Sequence, residues 1–343
     1  MALPTKHVMG ILVDNLLKRG SVLKLSPRTI TRWADGMDIP RGGKTVIYTG
    51  HMYQLIPAIS ALAGKMAMFE DSWINKFFGL GRFANRSVNL AWFMARTDPS
   101  QTEEYNNILR NIARLLQVAG VDFGYLYEEE MYSGALVHDE GVDDAFVKHA
   151  RRVVDVFKRN GVKSVITLDP HTTNMLRSVY PEYCKGFDLE VKSYLEVLAE
   201  SDFEATVLLD QDVTIHDSCV YARYENVVME PRQLLTKAGA TLREPENAGK
   251  LTHCCGGPIE TFFPSKAQEI ATKRMQQLAV AGGNIVGMCP ICLVNLKHAS
   301  KDMNVDVADI SEVLVQAYGG GGIPRSPHSG PGSSRQNEVV ANG

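Results

Sequence analysis

The stretch GVKSVITLDPHTTN at residues 161–174 returns in altered form as GNIVGMCPICLVN at residues 283–295. Both stretches read as a short apolar strand, then a polar residue followed by proline, then the start of a helix. Self-similarity of this kind indicates two copies of one structural unit. Two further pairs of stretches correspond in the same order: residues 120–134 with 239–256, and residues 45–51 with 213–219.

Short apolar runs alternate with amphipathic helical runs along most of the chain. This alternation predicts an α/β fold with largely parallel sheets, and the repeat predicts that it is built as two pseudo-symmetric modules. The predicted strands are Thr45–Tyr48, Val121–Leu126, Val162–Leu168, Thr206–Leu209, Val213–His216 and Asn284–Gly287. The predicted helices are Glu103–Val118, Asp143–Lys158, Glu190–Ala199, Pro231–Ala238, Ser265–Val280 and Ile310–Ala317.

The repeat divides the chain into four parts. Residues 1–44 are predicted to form an N-terminal arm, residues 45–200 the first module and residues 201–318 the second. The first module carries an insertion around Ala58–Thr102. Residues 319–343 are rich in glycine, serine and proline, have almost nothing to bury, and are predicted to be a disordered tail.

Composition and charge exclude some classes of function. The 343 residues include 36 Lys and Arg against 39 Asp and Glu, a net charge of −3. A protein that binds nucleic acid by electrostatic attraction needs a basic excess on one face. No apolar run approaches the ~20 residues that span a bilayer. We therefore expect a soluble, cytoplasmic protein with neither a nucleic-acid partner nor a membrane span.

Five of the six cysteines lie within 74 consecutive residues. Two of them are adjacent and two others form a Cys-x-x-Cys, while the sixth, Cys184, lies outside every motif. In a cytoplasmic protein of this size, such cysteines bind metal or carry redox chemistry more often than they form disulfides. The five candidate ligands are Cys219, Cys254, Cys255, Cys289 and Cys292.

The five thiols can converge, because the carboxyl ends of neighbouring parallel strands meet at one edge of a sheet. Gly256, after the adjacent pair, lets the backbone approach a bulky inorganic group without a Cβ. Amides at the start of the helix that Cys289 opens would stabilise thiolates. Three alternatives remain: an iron–sulfur cluster, a structural zinc site that His216 or His253 could join, and a chance grouping of buried cysteines.

Four strings resemble a known family: HDSC at residues 216–219, EPR at residues 230–232, HCCGGP at residues 253–258 and CPICLVNL at residues 289–296. They resemble the cysteine-rich CCG domain that occurs in the B subunit of heterodisulfide reductase and in the catalytic part of the D subunit. The resemblance extends over residues 25–318, since RWADGMDIP at residues 32–40 also matches this family.

The resemblance implies a fold, a cofactor and partners. The family's fold is a pair of pseudo-symmetric α/β modules, and each complete CCG motif holds a non-cubane 4Fe–4S cluster on its five cysteines. An oxidoreductase component that acts on a thiol, disulfide or persulfide, and only together with its partners, is implied. The implied partners are a ferredoxin-like C subunit and a flavoprotein A subunit, in a heterodisulfide-reductase-like complex that could belong to sulfur oxidation.

The first module departs from the family pattern, because no thiolate occupies its ligand positions. With one complete motif, the chain is expected to hold one cluster, which passes electrons singly or binds one sulfur, and to use the first module as scaffold. A small oxygen-ligated metal at His51, Asp169 and His171 is the alternative. The matching positions hold His51, Tyr132, Ser133, Asp169 and Thr172.

Several residues beside the ligands are candidates for binding the cofactor, namely His216, Arg223, His253 and Gly256. Cationic and hydrogen-bonding groups there could raise the reduction potential of a cluster or hold an anionic substrate. The same role is open to Arg232. Alternatively, Arg223 and Arg232 form ordinary salt bridges.

Two other functions remain open on sequence alone. A non-catalytic assembly subunit would use the cysteines to hold zinc or a structural cluster. A thiol–disulfide exchange protein would use Cys289 and Cys292 without metal, since a helix start lowers the pKa of a thiol. Outside the motifs, Cys184 is predicted to be a small buried residue. The run Glu128–Glu130 is predicted to be a solvated edge, with a docking patch as the alternative.

Overall fold

A computed structural model of the chain describes residues 5–23, 25–67, 97–282, 284–303 and 305–319. Within them, eight strands form two sheets of four. The first sheet holds β1 (Thr45–Tyr48), β2 (Gly124–Tyr125), β3 (Ser164–Thr167) and β4 (Glu190–Ser193). The second holds β5 (Asp212–Ile215), β6 (Thr241–Arg243), β7 (Asn284–Gly287) and β8 (Asp306–Asp309). The predicted α/β fold is confirmed.

The two sheets have the same topology, and every strand is parallel to its neighbours. The first follows the order β2-β1-β3-β4 and the second the order β6-β5-β7-β8. Val46 pairs with Val165 in the first sheet, and Thr214 pairs with Ile285 in the second, at positions that the sequence repeat aligns. In such sheets ligands bind beyond the carboxyl ends of the two strands between which the strand order reverses, here β5 and β7.

The repeat extends further along the chain than the sequence comparison found. Both β4 and β8 run directly into a helix, and each of these helices begins with a capping box, Ser193 with Glu196 and Asp309 with Glu312. The reciprocal hydrogen bonds satisfy amides that a helix start leaves free. Each sheet is therefore completed by the same unit of strand, cap and helix.

Helices flank the sheets, and five of the six predicted helices lie where the amphipathic pattern predicts them. The first of them are α1 (Thr5–Arg19), α2 (Pro27–Thr31), α3 (Met52–Ala67), α4 (Pro99–Val118), α5 (Ala135–Asp139), α6 (Asp143–Arg159), α7 (Pro170–Asn174), α8 (Tyr180–Tyr183) and α9 (Tyr194–Glu200). They are followed by α10 (Met229–Lys237), α11 (Pro264–Ala281), α12 (Pro290–Ala299) and α13 (Ile310–Tyr318). Among the described residues, no helix combines the length and the apolar character needed to cross a membrane.

The strand predicted at Thr206–Leu209 is wrong. The amides of Thr206 and Val207 both donate to the carbonyl oxygen of Ala317, near the end of α13, so they are not free to form a ladder. Leu208 is 72% exposed. The apolar run therefore ties the link between the modules to the last helix instead of joining a sheet, and tertiary context overrides its β propensity.

The helix predicted at Glu190–Ala199 is wrong in its first part. Its first four residues form β4 and pair with β3, and the helix begins only after Ser193. The capping box of Ser193 and Glu196 marks this boundary in the sequence, and the prediction overlooked it. At Val121–Leu126 the strand is real but covers only the two residues of β2.

The two sheets are joined through one hydrophobic core. Helix α13, which follows β8, packs against α4, which precedes β2, so that Ile108, Leu109 and Leu314 belong to the same buried set. Lys297 of α12 also forms an ion pair with Glu104 of α4. The modules are therefore held together by apolar packing, while the division of the chain at residue 200 stays a prediction.

The predicted arm packs onto the first module. Leu16, at the end of α1, is buried together with Met52 of α3 and with Tyr132. Apolar burial of this kind fixes the arm to the module. The greater part of the predicted insertion, residues 68–96, lies outside the described residues, as does the predicted tail from residue 320 onward.

Candidate metal centre

The five candidate cysteines come together at the carboxyl edge of the second sheet. Cys219 lies in the short helical segment that follows β5. Cys289 follows β7 and caps α12, and Cys292 lies in the first turn of that helix. Cys254 and Cys255 lie in the loop between β6 and α11. The point at which the strand order reverses therefore positions three of the five, as this topology predicts.

The five sulfur atoms form one continuous set. Each thiol perturbs the pKa of the next in the series: Cys219 and Cys254, Cys254 and Cys255, Cys255 and Cys292, and Cys292 and Cys289. Cys255, Cys289 and Cys292 are at most 3% exposed, whereas Cys219 and Cys254 are half-buried. A group bound to all five sulfurs would therefore face solvent on the side of Cys219 and Cys254.

The thiols share their protons unequally. Hydrogen bonds from other thiols, that of Cys219 first, lower the pKa of Cys254. A hydrogen bond from Cys292 is the first cause that lowers the pKa of Cys289. Conversely, the hydrogen bond to Cys254 raises the pKa of Cys219. Adjacent sulfurs cannot all ionise unless a cation lies between them, so the set suits a positively charged group.

Gly256 is fixed in place by the helix behind it. Its φ is +87°, in the left-handed region, and a Cβ there would lie 2.5 Å from the carbonyl oxygen of Ala267. Its amide donates a hydrogen bond of 3.4 Å to Cys254 Sγ. The absence of a Cβ at Gly256 thus makes room for the backbone of α11 and not for a bound group. Gly256 interacts with the sulfurs through the hydrogen bond from its amide. Gly134, at the matching position of the first module, has a φ of +88°.

His216 lies against the buried part of the sulfur set. A ring nitrogen of His216 and the sulfurs of Cys255 and Cys292 lie within 4.8 Å of one another, and no other such group of three occurs among the described residues. His216 Nδ1 accepts a hydrogen bond of 3.2 Å from Arg274 Nε. Burial first, and the charge of Arg274 second, lower the pKa of His216 to about 3, so the ring is neutral.

Two other predicted residues contact the loop around the adjacent cysteines. Arg223 donates to the carbonyl oxygen of Lys250 at 3.2 Å and to that of Thr252. His253 is exposed, and its Nδ1 accepts a hydrogen bond of 3.1 Å from Gln277 Nε2. Arg223 therefore stabilises the loop that precedes the adjacent cysteines. Both of these hydrogen bonds go to backbone oxygens and neither goes to a sulfur.

Arg232 forms an ion pair, as one of the two sequence alternatives describes. Two of its nitrogens lie 2.8 and 2.9 Å from the two carboxylate oxygens of Asp217. Glu244 accepts further hydrogen bonds from the same guanidinium. Asp217 also accepts the amide of Gly249 at 2.7 Å. This bidentate pair ties the strand end at β5 to the loop before the adjacent cysteines.

The matching positions of the first module are buried and polar. Among the described residues, His51, Ser133, Asp169 and Thr172 each have a buried side-chain nitrogen or oxygen without a hydrogen-bond partner. The small metal considered at His51, Asp169 and His171 has no assembled site, because these side chains do not form a group of three potential ligands in the described chain.

His171 instead reaches the cysteines of the second module. Its side chain interacts with Cys289, and its Nδ1 lies 3.4 Å from Asp139 Oδ2. Burial alone lowers the pKa of His171, but the hydrogen bonds to Asp139 and Cys289 raise it well above its ordinary value. The first module is therefore in direct contact with a ligand position of the second.

The acidic run is a solvated edge at two of its three residues. Glu128 and Glu129 form surface ion pairs with Arg41 and Arg159, with N–O distances of 2.7 and 3.1 Å. For Glu130 the prediction is wrong, because its side chain is buried. Position in the sequence alone did not show that this carboxylate turns inward.

The Glu130 carboxylate is held by four donors in the first module. They are the amide and hydroxyl of Thr49, the amide of Gly50 and the hydroxyl of Tyr125. Burial raises the pKa of Glu130 to about 7. Glu130 and His51 lie 3.7 Å apart and line a cavity of about 450 Å³ in this module.

Arg274 is a residue at the site that the sequence analysis missed. It is fully buried in α11 and contacts His216. A signal was present, since Arg274 lies three residues after Ala271 and four before Leu278, on the apolar face of the predicted helix. A charged residue on such a face indicates a buried partner.

The sixth cysteine stands apart from the sulfur set, as predicted. Cys184 is 5% exposed and packs in the core of the first module with Met175 and Tyr180. Burial raises the pKa of its thiol. It behaves as a small apolar residue.

Comparison with known proteins assigns the second module to a family. Residues 213–297 match the family model of the cysteine-rich domain CCG. This segment runs from β5 into α12, so it contains His216 and all five cysteines. This part of the chain is therefore a cysteine-rich CCG domain.

Curated relatives have names that describe iron–sulfur or redox proteins. A Bacillus subtilis (strain 168) protein named "Probable iron-sulfur-binding oxidoreductase FadF" is 33% identical over 219 residues, 60% of this chain and 31% of its own length. The EtfAB:quinone oxidoreductase of Syntrophomonas wolfei is 31% identical over 233 residues, 63% and 32% of the two chains. The B subunit of the fumarate reductase (CoM/CoB) of Methanothermobacter marburgensis is 28% identical over 179 residues, 48% and 36%. The chain thus spans about a third of the length of these relatives.

Proposed function

We propose that this chain is an iron–sulfur redox subunit whose second module holds one 4Fe–4S cluster of the non-cubane type. The observation that carries the proposal is the continuous set of five sulfurs at the carboxyl edge of β5 and β7. The CCG match and the iron–sulfur names of relatives support it. The proposed ligands are Cys219, Cys254, Cys255, Cys289 and Cys292.

The donor set fits an iron–sulfur group. Cysteine thiolates are the usual ligands of such clusters, whereas a structural zinc ion takes four ligands and would leave one of these sulfurs over. The lowered pKa of Cys254 and of Cys289 makes thiolates available. The Gly256 amide and the start of α12 add hydrogen bonds and a favourable dipole at the sulfurs.

A bound cluster would supply one-electron transfer and an iron at which a substrate sulfur can bind. The chain's own residues bind it and control access to it. Cys219 and Cys254 are half-buried, so a thiol, disulfide or persulfide would approach on their side. His171 contacts Cys289 on the buried side and closes the site against the first module.

One cluster per chain constrains the chemistry. The first module has no thiolate at its matching positions, where the structure has buried His51, Asp169 and hydroxyl groups. The two sulfurs of a disulfide therefore cannot each be bound by a cluster of this chain. We propose that the site handles one sulfur at a time and passes electrons singly.

Partner proteins are part of the proposal. The relatives are about three times as long as the region they share with this chain, and one of them is named "Probable membrane-anchored ferredoxin". We propose that electrons enter and leave through a ferredoxin-like C subunit and a flavoprotein A subunit. The assembly would be a heterodisulfide-reductase-like complex of sulfur metabolism in the cytoplasm.

A non-catalytic assembly subunit with a structural zinc ion is the second candidate. It is favoured by the close approach of a His216 ring nitrogen to the sulfurs of Cys255 and Cys292. Such a grouping supplies three of the four ligands of a structural zinc site. In that case the cysteines would stabilise the fold without redox chemistry.

Metal analysis of the full chain after anaerobic purification separates the two candidates. About four irons and four acid-labile sulfides per chain, with an EPR signal after oxidation that changes when a thiol is added, are expected for the redox subunit. Zinc at about one per chain, without iron or sulfide, contradicts the redox proposal and leaves the assembly subunit.

A further inference from the structure

We propose that Arg274 is a positioning residue that makes His216 a hydrogen-bond donor to a cysteine sulfur of the metal centre, and that its charge raises the reduction potential there. The effect of the charge on the reduction potential rests on the proposed iron–sulfur function. The hydrogen-bonding part does not, because it concerns the protein's own side chains. Neither residue then acts as a metal ligand.

The surroundings of Arg274 are unusual for a buried cation. Its donors go to neutral acceptors: His216 Nδ1 at 3.2 Å, Gln277 Oε1 at 3.0 Å, Thr252 Oγ1 at 3.4 Å and two backbone carbonyl oxygens. Within the described residues, no carboxylate is among its hydrogen-bond or ion-pair partners. Arg232 differs, since Asp217 and Glu244 both neutralise it.

A buried charge without a counter-charge is costly. The nearby negative groups are the thiolates of the sulfur set and Asp217, and Asp217 already forms a bidentate pair with Arg232. We infer that the counter-charge of Arg274 is the anionic metal centre itself. A cation fixed beside a redox group favours the more negative, reduced state of that group, and so raises its reduction potential.

The hydrogen bond from Arg274 determines the tautomer of His216. A guanidinium can only donate, so His216 Nδ1 must offer a lone pair. A ring that accepts at Nδ1 is neutral and carries its proton on Nε2. Nε2 has no hydrogen-bond partner among the described residues, whether oxygen, nitrogen or sulfur.

The candidate acceptors for this proton, once the centre is occupied, are sulfur atoms. Cys255 and Cys292 are the partners within the 4.8 Å group. A protonated Nε2 has no lone pair for a metal, so His216 donates to a sulfur and does not ligate iron or zinc. Hydrogen bonds to cluster sulfurs raise the reduction potential in the same direction as the charge does.

The same arginine also determines the orientation of a second histidine. Because Arg274 donates to Gln277 Oε1, the amide of Gln277 is oriented with Nε2 toward His253. Gln277 therefore donates, and His253 Nδ1 accepts. Arg274 thus acts on both histidines beside the cysteines, on His216 directly and on His253 through Gln277.

The test compares three variants of the full chain with the wild type, all purified anaerobically and titrated redox-potentiometrically by EPR. Arg274→Met removes the charge and the donors, and Arg274→Lys keeps the charge. Arg243→Met is the matched control, because Arg243 is half-exposed and its charge is neutralised by Asp212.

In Arg274→Met we expect the ratio of oxidised to reduced centre at a fixed potential to rise at least tenfold, which is about 59 mV for one electron. Arg274→Lys should recover most of this change, and Arg243→Met should shift the ratio less than twofold. An Arg274→Met variant that keeps its cofactor and has the potential of Arg243→Met overturns the role of the charge.

Proton ENDOR of the wild type tests the hydrogen bond without relying on a variant that could fail to fold. An exchangeable proton coupled to the centre is expected, present in Arg274→Lys and lost in His216→Phe. Its absence in the wild type, or its persistence in His216→Phe, overturns the donor role.

If the purified chain holds zinc without iron, the proposed function fails and the inference is still tested. Histidine-selective ¹⁵N NMR of that form then decides the tautomer. A protonated Nε2 on His216 upholds the inference, and a zinc-bound Nε2 overturns it.

Discussion

The hydroxyl of Tyr53 donates a hydrogen bond of 2.9 Å to Asp309 Oδ2 and so joins the helix after β1 to the cap of α13. In the repeat, Tyr221 occupies the position of Tyr53, and Ser193 that of Asp309. The Tyr221 hydroxyl accepts a hydrogen bond of 3.4 Å from Thr173 of the first module, and its side chain also interacts with Ser193. The two modules therefore bind each other through tyrosines at equivalent positions, and a first module without thiolates still has a structural role.

Removing the Tyr53 hydroxyl should destabilise the interface between the modules. In Tyr53→Phe the buried carboxylate of Asp309 loses a donor, and we expect the free energy of unfolding to fall by ~1–3 kcal/mol. Urea unfolding followed by circular dichroism measures this. Tyr224→Phe is the control, since Tyr224 is 71% exposed, and should change stability by less than ~0.5 kcal/mol. Equal stability of the two variants would contradict the role given to this contact.

Replacing one buried ligand should remove the metal centre. In Cys289→Ser we expect iron and sulfide per chain to fall at least fivefold, because the helix cap loses its thiolate and the hydroxyl is a poor ligand for such a cluster. Cys184→Ser is the matched control, since Cys184 is equally a buried cysteine but packs in the core of the first module. Its iron content should match the wild type. Full iron content in Cys289→Ser would remove Cys289 from the ligand set.

Much of the fold could be predicted from the sequence, because the signals are local. The repeat showed that β1 is equivalent to β5 and β3 to β7. The position of the cysteines after predicted strands indicated that all five lie at one edge of a sheet. The edge strands β4 and β8 could not be predicted in this way. Residues 190–193 and 306–309 contain charged side chains and gain strand structure only by pairing at the edge of a sheet.

Inside the site, the sequence did not show which polar side chains are buried. Nothing in the run Glu128–Glu130 distinguishes the residue that turns inward, because the donors at Thr49 and Tyr125 are distant in sequence. The interaction of His171 with Cys289 could not be predicted for a similar reason, since Cys289 belongs to the other module. Contacts of this kind are set by the packing of the modules and leave little trace in a local pattern.

Gly256 should be intolerant of any side chain. In Gly256→Ala the left-handed φ costs ~1–2 kcal/mol, and the Cβ must also displace the Ala267 carbonyl oxygen, 2.5 Å away. We expect a total loss of ~3 kcal/mol in unfolding free energy, with a lower iron content because the amide that contacts Cys254 moves. Gly141→Ala separates the two effects, since Gly141 has a φ of +74° but open space around it. A loss no greater in Gly256→Ala than in Gly141→Ala would contradict the steric argument.

The buried Glu130 should make stability depend on pH in a direction opposite to that of a salt-bridged carboxylate. Burial raises its pKa from 4.5 to about 7 in the folded chain. Between these values the native state holds a proton that the unfolded chain has released, so the contribution of this group to stability falls as pH rises. A shift of this size corresponds to ~3 kcal/mol at ~1.4 kcal/mol per pKa unit.

Glu130→Gln should remove that dependence. We expect the free energy of unfolding of the variant, relative to the wild type, to rise by ~3 kcal/mol between pH 5 and pH 8, because the amide cannot ionise while the wild-type carboxyl does. Urea unfolding at a series of pH values measures the difference. Glu128→Gln is the control from the same acidic run, because the hydrogen bond from Arg41 lowers the pKa of Glu128 and keeps it ionised throughout this range. If both variants follow the wild-type curve in parallel, the proton on Glu130 is not coupled to folding.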